Sequence, residues 1–501
     1  MEDLPNKTVR VRFAPSPTGR THLGSGRTAL YNYLLARQTT GTFILRIEDT
    51  DQKRYVPGAE EELMASLQWL GLDWDEGPDV GGDFGPYIQS ERRPIYQKYA
   101  QQLLESGYAY VCFCDHSDAA DPDPKDKRKH RDICPDRKRS LQDTLPRREA
   151  GEPFVIRFKM PREGTITVTD AIRGDITVEN HTLDDFILVK SNGLPVYHLA
   201  VVIDDHLMEI THVIRTSEWL PTFPLHGHIY NAFGWQQPVW IHPSIFLSPS
   251  GKGKLSKRET EALEREGKPT FLGDMSKLGY LPEAVVNWAA LIGWSYDDKT
   301  EFFTMDELIQ KFSIDKLNPS PAALNFSKLT HFNGLHIRNL SVEDLASRIK
   351  PFFEAAGYSI EDEKKLKMIA EVLQVRLETL AEAPQKAGLF FKKEIHPGPE
   401  LLVGKNMTPA ESLAMAYQIY QLVQSLPDFS EEVANKPLRD LAKDLGLKAG
   451  HVFNFLRNAV TAEKITPPIF ETMTIIGRAE VLNRIQSAIN TLERLNQLQD
   501  L

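Results

Sequence analysis

The sequence predicts an α/β protein: a parallel sheet interrupted by an α+β insertion and followed by an all-α C-terminal half. Three observations lead there. Residues 9–47 read strand, helix, strand. Residues 108–190 break that rhythm with short alternating runs around a polar, basic stretch. Past about residue 270 the apolar positions recur at helical spacing and strand-like runs nearly vanish.

Val9 to Phe13 alternates like a strand, and Pro15, Pro17 and Gly19 end it. A helical pattern begins near Leu23 and runs through Leu30, Tyr33 and Leu34 to about Arg37, and Thr42 to Ile47 is strand-like again. Such a unit predicts parallel pairing with a right-handed crossover. A helix is expected from Pro57, a favoured first position, through Leu63 and Leu67 to Gly71, and another from about Ser90 to Gly107. Tyr108–Cys114, Phe154–Met160 and Thr165–Thr169 are the strand-like pieces of the insertion. Phe186–Lys190, a Ser191-Asn192-Gly193 turn, Val196–Ile203 and Ile210–Ile214 read as returning strands. A helix near Trp219–Phe233 and a strand near Val239–Phe246 follow. Amphipathic stretches at Pro282–Ile292, Val342–Ala356, Glu361–Ala383, Thr408–Leu426 and Val481–Leu495 fill the helical half, with no internal repeat. The expected domains are 1–107 and 191–260 as two halves of the sheet domain, 108–190 as the insertion, 261–335 as a connecting domain and 336–501 as the helical part.

A chain of 501 residues, 41% hydrophobic and 26% charged, has the composition of a globular protein of several domains. No apolar run reaches the length of a membrane span, and the N-terminus lacks the apolar core of a signal peptide. Three cysteines, all between Cys112 and Cys134, argue against a disulfide framework, so the expected compartment is the cytoplasm. The net charge of −10 speaks against nucleic acid as a partner if taken as a total. Its distribution matters more: Lys125 to Arg139, with Arg147 and Arg148 behind, is basic enough to be a phosphate-contacting patch or a solvated loop.

Two distant segments carry the chemistry. His22-Leu23-Gly24-Ser25 follows a predicted strand and opens a helix, where free N–H groups and the helix dipole favour phosphate. Gly24 and Gly26 permit close approach to the backbone, and His22 offers a hydrogen bond to phosphate. Ser250-Gly251-Lys252-Gly253-Lys254-Leu255-Ser256-Lys257-Arg258 is a glycine-rich, cationic strand-to-helix connection. A mobile lysine there suits the charge that builds on pyrophosphate when a carboxylate attacks the α-phosphate of ATP. The pair therefore points to activation of a carboxylic acid by ATP.

These segments resemble the glutamyl-tRNA synthetases, a class I aminoacyl-tRNA synthetase family of bacterial or organellar type. The resemblance lies in Phe13-Ala14-Pro15-Ser16-Pro17-Thr18-Gly19, His22-Leu23-Gly24-Ser25, Leu45-Arg46-Ile47-Glu48-Asp49-Thr50-Asp51, Tyr197-His198-Leu199-Ala200, Thr211-His212-Val213-Ile214-Arg215, Glu218-Trp219-Leu220 and Lys254–Arg258. It continues in Leu447-Lys448-Ala449-Gly450, Phe455–Val460 and Pro467-Pro468-Ile469-Phe470. Leu23 and Ser25 depart from the common His-Ile-Gly-His form, Val201 stands where many relatives are polar, and Thr216-Ser217 replaces a Gly/Ala-Glu pair.

The resemblance implies a Rossmann-type catalytic domain, an inserted acceptor-end-binding domain, a stem-contact domain and helical anticodon-binding domains. It implies ligation of L-glutamate to the 3′ end of tRNA(Glu), through glutamyl-adenylate formed from ATP with Mg2+, usually only with tRNA bound. It leaves open whether tRNA(Gln) is charged as well, and it implies a monomer. Carried over by position, Arg12 and Arg215 would meet the substrate's carboxylates, Glu48 would hold its ammonium, Ser16 would add a polar contact, and Tyr197 would help shape the pocket. Gly24 and Glu218 would border ATP, while His22, Lys254 and Lys257 would stabilise phosphate. Arg376, on an expected helix, is the candidate anticodon reader.

Cys112-Phe113-Cys114 and, fifteen residues on, His130 and Cys134 offer three thiols and an imidazole, a tetrahedral set suited to structural zinc. His116 is the rival fourth ligand. Two alternatives stand beside a ligase: a tRNA-binding regulatory paralogue, and a transferase that glutamylates a modified tRNA base. Both phosphate segments with Arg12 and Glu48 argue against the first, and the long helical tail argues against the second.

Overall fold

Arg10–Phe13 (β1) and Thr42–Leu45 (β2) pair in parallel, with Val11 opposite Phe43 and Phe13 opposite Leu45. Three residues of each are buried, as expected of parallel strands covered on both faces. The helix Leu23–Gln38 connects them, and buries Leu30, Tyr31, Leu34 and Ala36. The structure is a computed structural model describing residues 8–114, 129–251, 253, 255, 257–392, 394–463 and 466–499, the side chains of Lys257 and Gln499 excepted.

The insertion contributes Ala109–Cys112 (β3) and Val155–Phe158 (β4), which join Ile187–Val189 (β7) in an antiparallel sheet of order β3-β4-β7. Thr165–Asp170 (β5) and Gly174–Glu179 (β6) form a hairpin whose first strand pairs with Val239–Ile241 (β9). His212–Ile214 (β8) lies parallel to β9 on its other side. Beside β8 runs β1, where Thr211 N–H donates to Arg10 O at 2.9 Å. The parallel strands β1, β8, β9 and β5 thus end on one edge, the place where ligands bind in open α/β sheets. Phe246–Leu247 (β10) pairs with Ala322–Ala323 (β11).

Residues 1–277 and 282–332 form one unit; residues 278–281 and 333–501 form a second. The second unit is helical, and Thr408-Pro409-Ala410-Glu411 shows why its elements start where they do. Thr408 caps the helix Pro409–Ser425, Pro409 takes the first turn, and Glu411 closes a capping box. Met415, Ile419, Leu438, Val452, Leu456, Ile485 and Leu492 then build one core. Among the described residues no helix is long and apolar enough to cross a membrane.

Four expectations are corrected. Val196–Ile203 is not a strand: Tyr197–Leu207 is a helix. Every residue from Leu199 to Asp205 is buried, so no polar face imprints a helical period, and Val201, Val202 and Ile203 mimic a buried strand. Val239–Phe246 is split into β9 and β10. The helix from Glu363 stops at Gln374, whose side-chain amide donates to the carbonyls of Ile337 and Leu340. Arg376 therefore lies in the turn after that helix, its N–H bonded to Leu373 O, and not on the helix. Gly26 faces the core, where a Cβ would come within 3.0 Å of Leu272, so its smallness serves packing and not nucleotide approach.

Candidate active site

A cavity of about 1130 Å³ opens at the C-terminal edge of β1, β8 and their neighbours. That exceeds the usual range for one small ligand, up to roughly 1,000 Å³, and suits two substrates side by side. Arg12, Ser16, His22 and Gly24 line it from the first strand and helix. Glu48, Tyr197, Arg215 and Glu218 line it from the later segments. Lys254 lies outside the described residues. Lys257 opens the helix Lys257–Arg265, and Leu255 and Thr260 on either side of it line the same cavity.

His22 caps the helix Leu23–Gln38, its Nδ1 accepting the Gly24 N–H at 3.0 Å. With the Nδ1 lone pair so used, a neutral ring carries its proton on Nε2, the correct polarity for a phosphate oxygen. The Gly24 amide is committed to this cap. Leu23 N–H donates to Thr270 O at 2.8 Å, and the His22 ring meets Phe271 edge-on. Arg20 pairs with Glu264 at 3.1 Å and with Asp274, tying the helix after the second phosphate segment to the first. These pairs are half exposed, so they orient more than they stabilise.

Beneath the cavity lies a charge cluster that local sequence reading did not reveal. Arg12 forks onto Asp205, Nε to Oδ1 at 3.0 Å and Nη2 to Oδ2 at 3.3 Å. Arg46 bridges Asp205 at 2.9 Å and Glu48 at 3.0 Å, and is fully buried. Asp204 accepts from Arg92 at 2.7 Å, Tyr96 at 2.8 Å and Gln89 at 2.9 Å. Three guanidiniums thus face three carboxylates. Burial raises the Glu48 carboxyl to about 7, against the opposing pull of Arg46 and Arg12. The Asp204-Asp205 pair inside an apolar run was the signal available in the sequence.

Arg215 differs. Its Nε donates to His242 Nε2 at 2.9 Å and its Nη1 to the Tyr197 hydroxyl at 3.2 Å, while Nη2 is buried and has no hydrogen-bond partner among the described residues. Burial lowers its pKa from the ordinary arginine value, and the phenol of Tyr197 raises it only in part. Tyr197 stacks on Trp219 at 4.3 Å between ring centres, closing one wall. A buried guanidinium edge with no partner is a site for an incoming anion.

The insertion holds a second constellation. The ligating atoms of Cys112, Cys114, His130 and Cys134 all lie within 4.8 Å of one another. Cys112 and Cys134 sulfurs are 3.6 Å apart, Cys114 and Cys134 3.5 Å, and Cys112 sulfur is 3.4 Å from His130 Nε2. Zinc–sulfur bonds of about 2.3 Å at tetrahedral angles put sulfurs about 3.8 Å apart, so this donor set fits zinc. Asp184 accepts the backbone N–H groups of His130 and Arg131, fixing the turn. His116 lies outside the described residues, as does much of the basic segment. Of the described part, Arg131 is buried on the carbonyls of Asn180 and His181, and Arg137 pairs with Asp185 at 2.7 Å. Metal analysis is expected to find close to one zinc per chain, lost in Cys134→Ser together with several degrees of melting temperature. A zinc-free chain that melts with the loaded one would remove the structural role.

Comparison with known proteins matches residues 8–331 to the catalytic domain of class I tRNA synthetases (E and Q), and residues 344–489 to an anticodon binding domain. The chain is 42% identical over 504 residues to a glutamate–tRNA ligase of Chloroflexus aurantiacus, covering 97% of this chain and 98% of that one. It is 43% identical over 492 residues to a glutamate–tRNA ligase of Dehalococcoides mccartyi, covering 97% and 98%. A crystal structure of a glutamate tRNA ligase from Elizabethkingia meningosepticum, in complex with its amino acid, resembles it with a TM-score of 0.88 at 37% identity, over 97% of this chain and 100% of that one.

Proposed function

We propose that this chain, which belongs to the class I tRNA synthetases (E and Q), is a glutamate–tRNA ligase. The observation that carries this reading is the partnerless Nη2 edge of Arg215 in a cavity large enough for ATP and an amino acid. The reaction runs in two steps. The α-carboxylate of glutamate attacks the α-phosphorus of ATP, forming the mixed anhydride and releasing pyrophosphate. A terminal ribose hydroxyl of tRNA then attacks the acyl carbon and AMP leaves. Magnesium enters with ATP as part of the substrate.

Each side chain has a physical task in this scheme. Glu48 holds the ammonium, with Ser16 beside it. His22 and the loop bearing Lys254 and Lys257 meet phosphate charge, and Glu218 borders the nucleoside. Arg215 suits the side-chain carboxylate better than the α-carboxylate. The α-carboxylate must spend its charge as nucleophile, and a permanent cation on it would hold back attack. The side-chain charge persists through both steps. Arg12, already forked onto Asp205, adds a guanidinium whose charge is largely offset.

In the same scheme the insertion at 108–190 binds the acceptor end, tied down by zinc, 261–335 contacts the stem, and 336–501 reads the anticodon, with Arg376 exposed to it on a turn. The chain acts as a monomer. Charging purified tRNA(Glu) and tRNA(Gln) side by side reads its tRNA range.

The direct test is ATP–pyrophosphate exchange with glutamate and tRNA(Glu). Exchange that depends on both is expected; its absence would end the ligase reading. The pH profile adds a second check. A protonated Glu48 cannot hold an ammonium, so kcat/KM for glutamate should rise as pH climbs through about 7, where the buried carboxyl ionises. Glu48→Gln should abolish that limb along with most activity. A wild-type profile flat from about pH 6 to about pH 8 would take Glu48 out of this role.

A further inference from the structure

Three neighbouring strands of the sheet present one residue each at the same edge. Asp170 ends β5, His242 follows β9, and Arg215 follows β8. Asp170 lies opposite Trp240, and Val213 and Ile214 lie opposite Trp240 and Ile241, so the three side chains fall in register. They are joined in a row: Asp170 Oδ2 to His242 Nδ1 at 2.6 Å, and His242 Nε2 to Arg215 Nε at 2.9 Å. Asp170 is 1% exposed, His242 0% and Arg215 5%. Only Arg215 borders the cavity.

The direction of each bond follows from the groups. An arginine Nε–H can only donate, so His242 Nε2 must carry a lone pair. The ring proton then sits on Nδ1 and is given to Asp170. The second oxygen of Asp170 accepts the N–H groups of Ile172 and Arg173, both at 3.0 Å, which fixes the carboxylate in turn. Arg173 closes the arrangement by donating to His242 O at 3.0 Å. The imidazole is therefore a neutral spacer between a carboxylate and a guanidinium.

Arg12, another arginine of the cavity, is held differently. Arg12 sits directly on Asp205, which offsets its charge. Arg215 makes no ion pair among the described residues. A carboxylate touching Arg215 would have oriented it equally well, but would have cancelled the charge that an acidic substrate needs.

We infer that Asp170 and His242 are positioning residues for amino-acid specificity: they aim Arg215 at the substrate's side-chain carboxylate while leaving its charge unspent, so that the pocket prefers an acid to the matching amide. This rests on the ligase reading and deepens it, since neither residue touches substrate. Burying a cation without a counter-ion is costly, and the cost is relieved only when the ligand brings a negative charge. Glutamine, equal in shape but uncharged, relieves little of it.

The test uses His242→Leu, His242→Gln and Asp170→Asn in the full chain, with tRNA(Glu) present. Pyrophosphate exchange gives KM for glutamate and ATP, and competition gives Ki for glutamine. His242→Leu is expected to raise the glutamate KM about tenfold or more, with ATP KM and glutamine Ki within about twofold of wild type. His242→Gln, whose amide oxygen can take the Arg215 Nε–H, should recover most of the loss, which a merely structural role would not explain. Asp170→Asn should shift glutamate KM in the same selective way, and decides the matter if His242→Leu does not fold. A glutamate KM within about twofold of wild type in these variants, or one that rises equally with ATP KM, would overturn the relay. An active wild type with unaffected variants refutes the relay alone; a wild type inactive with glutamate refutes the ligase reading and the relay with it.

Discussion

Asp205→Ala is expected to destabilise the sheet-bearing unit by roughly 3–5 kcal/mol, the usual cost of removing one partner from a buried charge cluster. Asp205 is 1% exposed and accepts from two arginines, Arg12 and Arg46, themselves 3% and 0% exposed. Alanine leaves both guanidiniums buried with one carboxylate fewer. The carboxyl of Asp205 shows the strength of the arrangement: Arg12 and Arg46 hold it below the ordinary aspartate pKa although burial pushes the other way. All seven tryptophans lie in the first unit, so tryptophan fluorescence in urea reports this unit and not the helical one. The midpoint should fall clearly in Asp205→Ala and less in Asp205→Asn, which still accepts hydrogen bonds. A stability loss under about 1 kcal/mol in the alanine variant would show that water or rearranged side chains replace the carboxylate, and that the cluster is not what fixes Arg12.

The parts legible in the sequence were those written locally. β1, its proline-broken exit, the helix opening at His22 and β2 follow from short-range pattern, because a strand and a helix N-terminus each need only a few residues to declare themselves. Thr408 to Glu411 announced a helix start for the same reason. The helix Tyr197–Leu207 was misread because it is buried all round, and burial on every side erases the period that distinguishes helix from strand. The site divided along the same line. Arg12, His22, Glu48 and Arg215 sit in motifs that name themselves, and the fold brings all four to one cavity. Asp170 and His242 carry no local signal, and the acidic pair Asp204-Asp205 inside an apolar run does not name its partners. Their meaning arises from strand order, which sets Asp170 beside His242 across 72 positions and Arg12 beside Asp205 across 193.

Arg215→Ala should leave the fold intact and nearly abolish use of glutamate, the reverse of Asp205→Ala. A charge-assisted bond to a carboxylate contributes about 1.5–3 kcal/mol, and a guanidinium edge can make two. The expected fall in kcat/KM for glutamate is therefore about a hundredfold or more, near 3 kcal/mol, with ATP KM little changed. Arg215→Lys keeps a charge but not the fork. An ammonium cannot serve His242, Tyr197 and a carboxylate at once from fixed directions, so it should recover only a small part. Stability separates this from general damage. In the free protein Arg215 is a buried cation with no ion pair among the described residues, and removing it relieves that desolvation while leaving His242 Nε2 and the Tyr197 hydroxyl to be solvated by the open cavity. The melting temperature of Arg215→Ala should stand within about 2 °C of wild type or above it, the mark of a residue kept for function at the expense of stability. A variant that melts far lower, or one that still uses glutamate with an ordinary KM, would show that Arg215 braces the sheet edge and that the acidic substrate is held elsewhere.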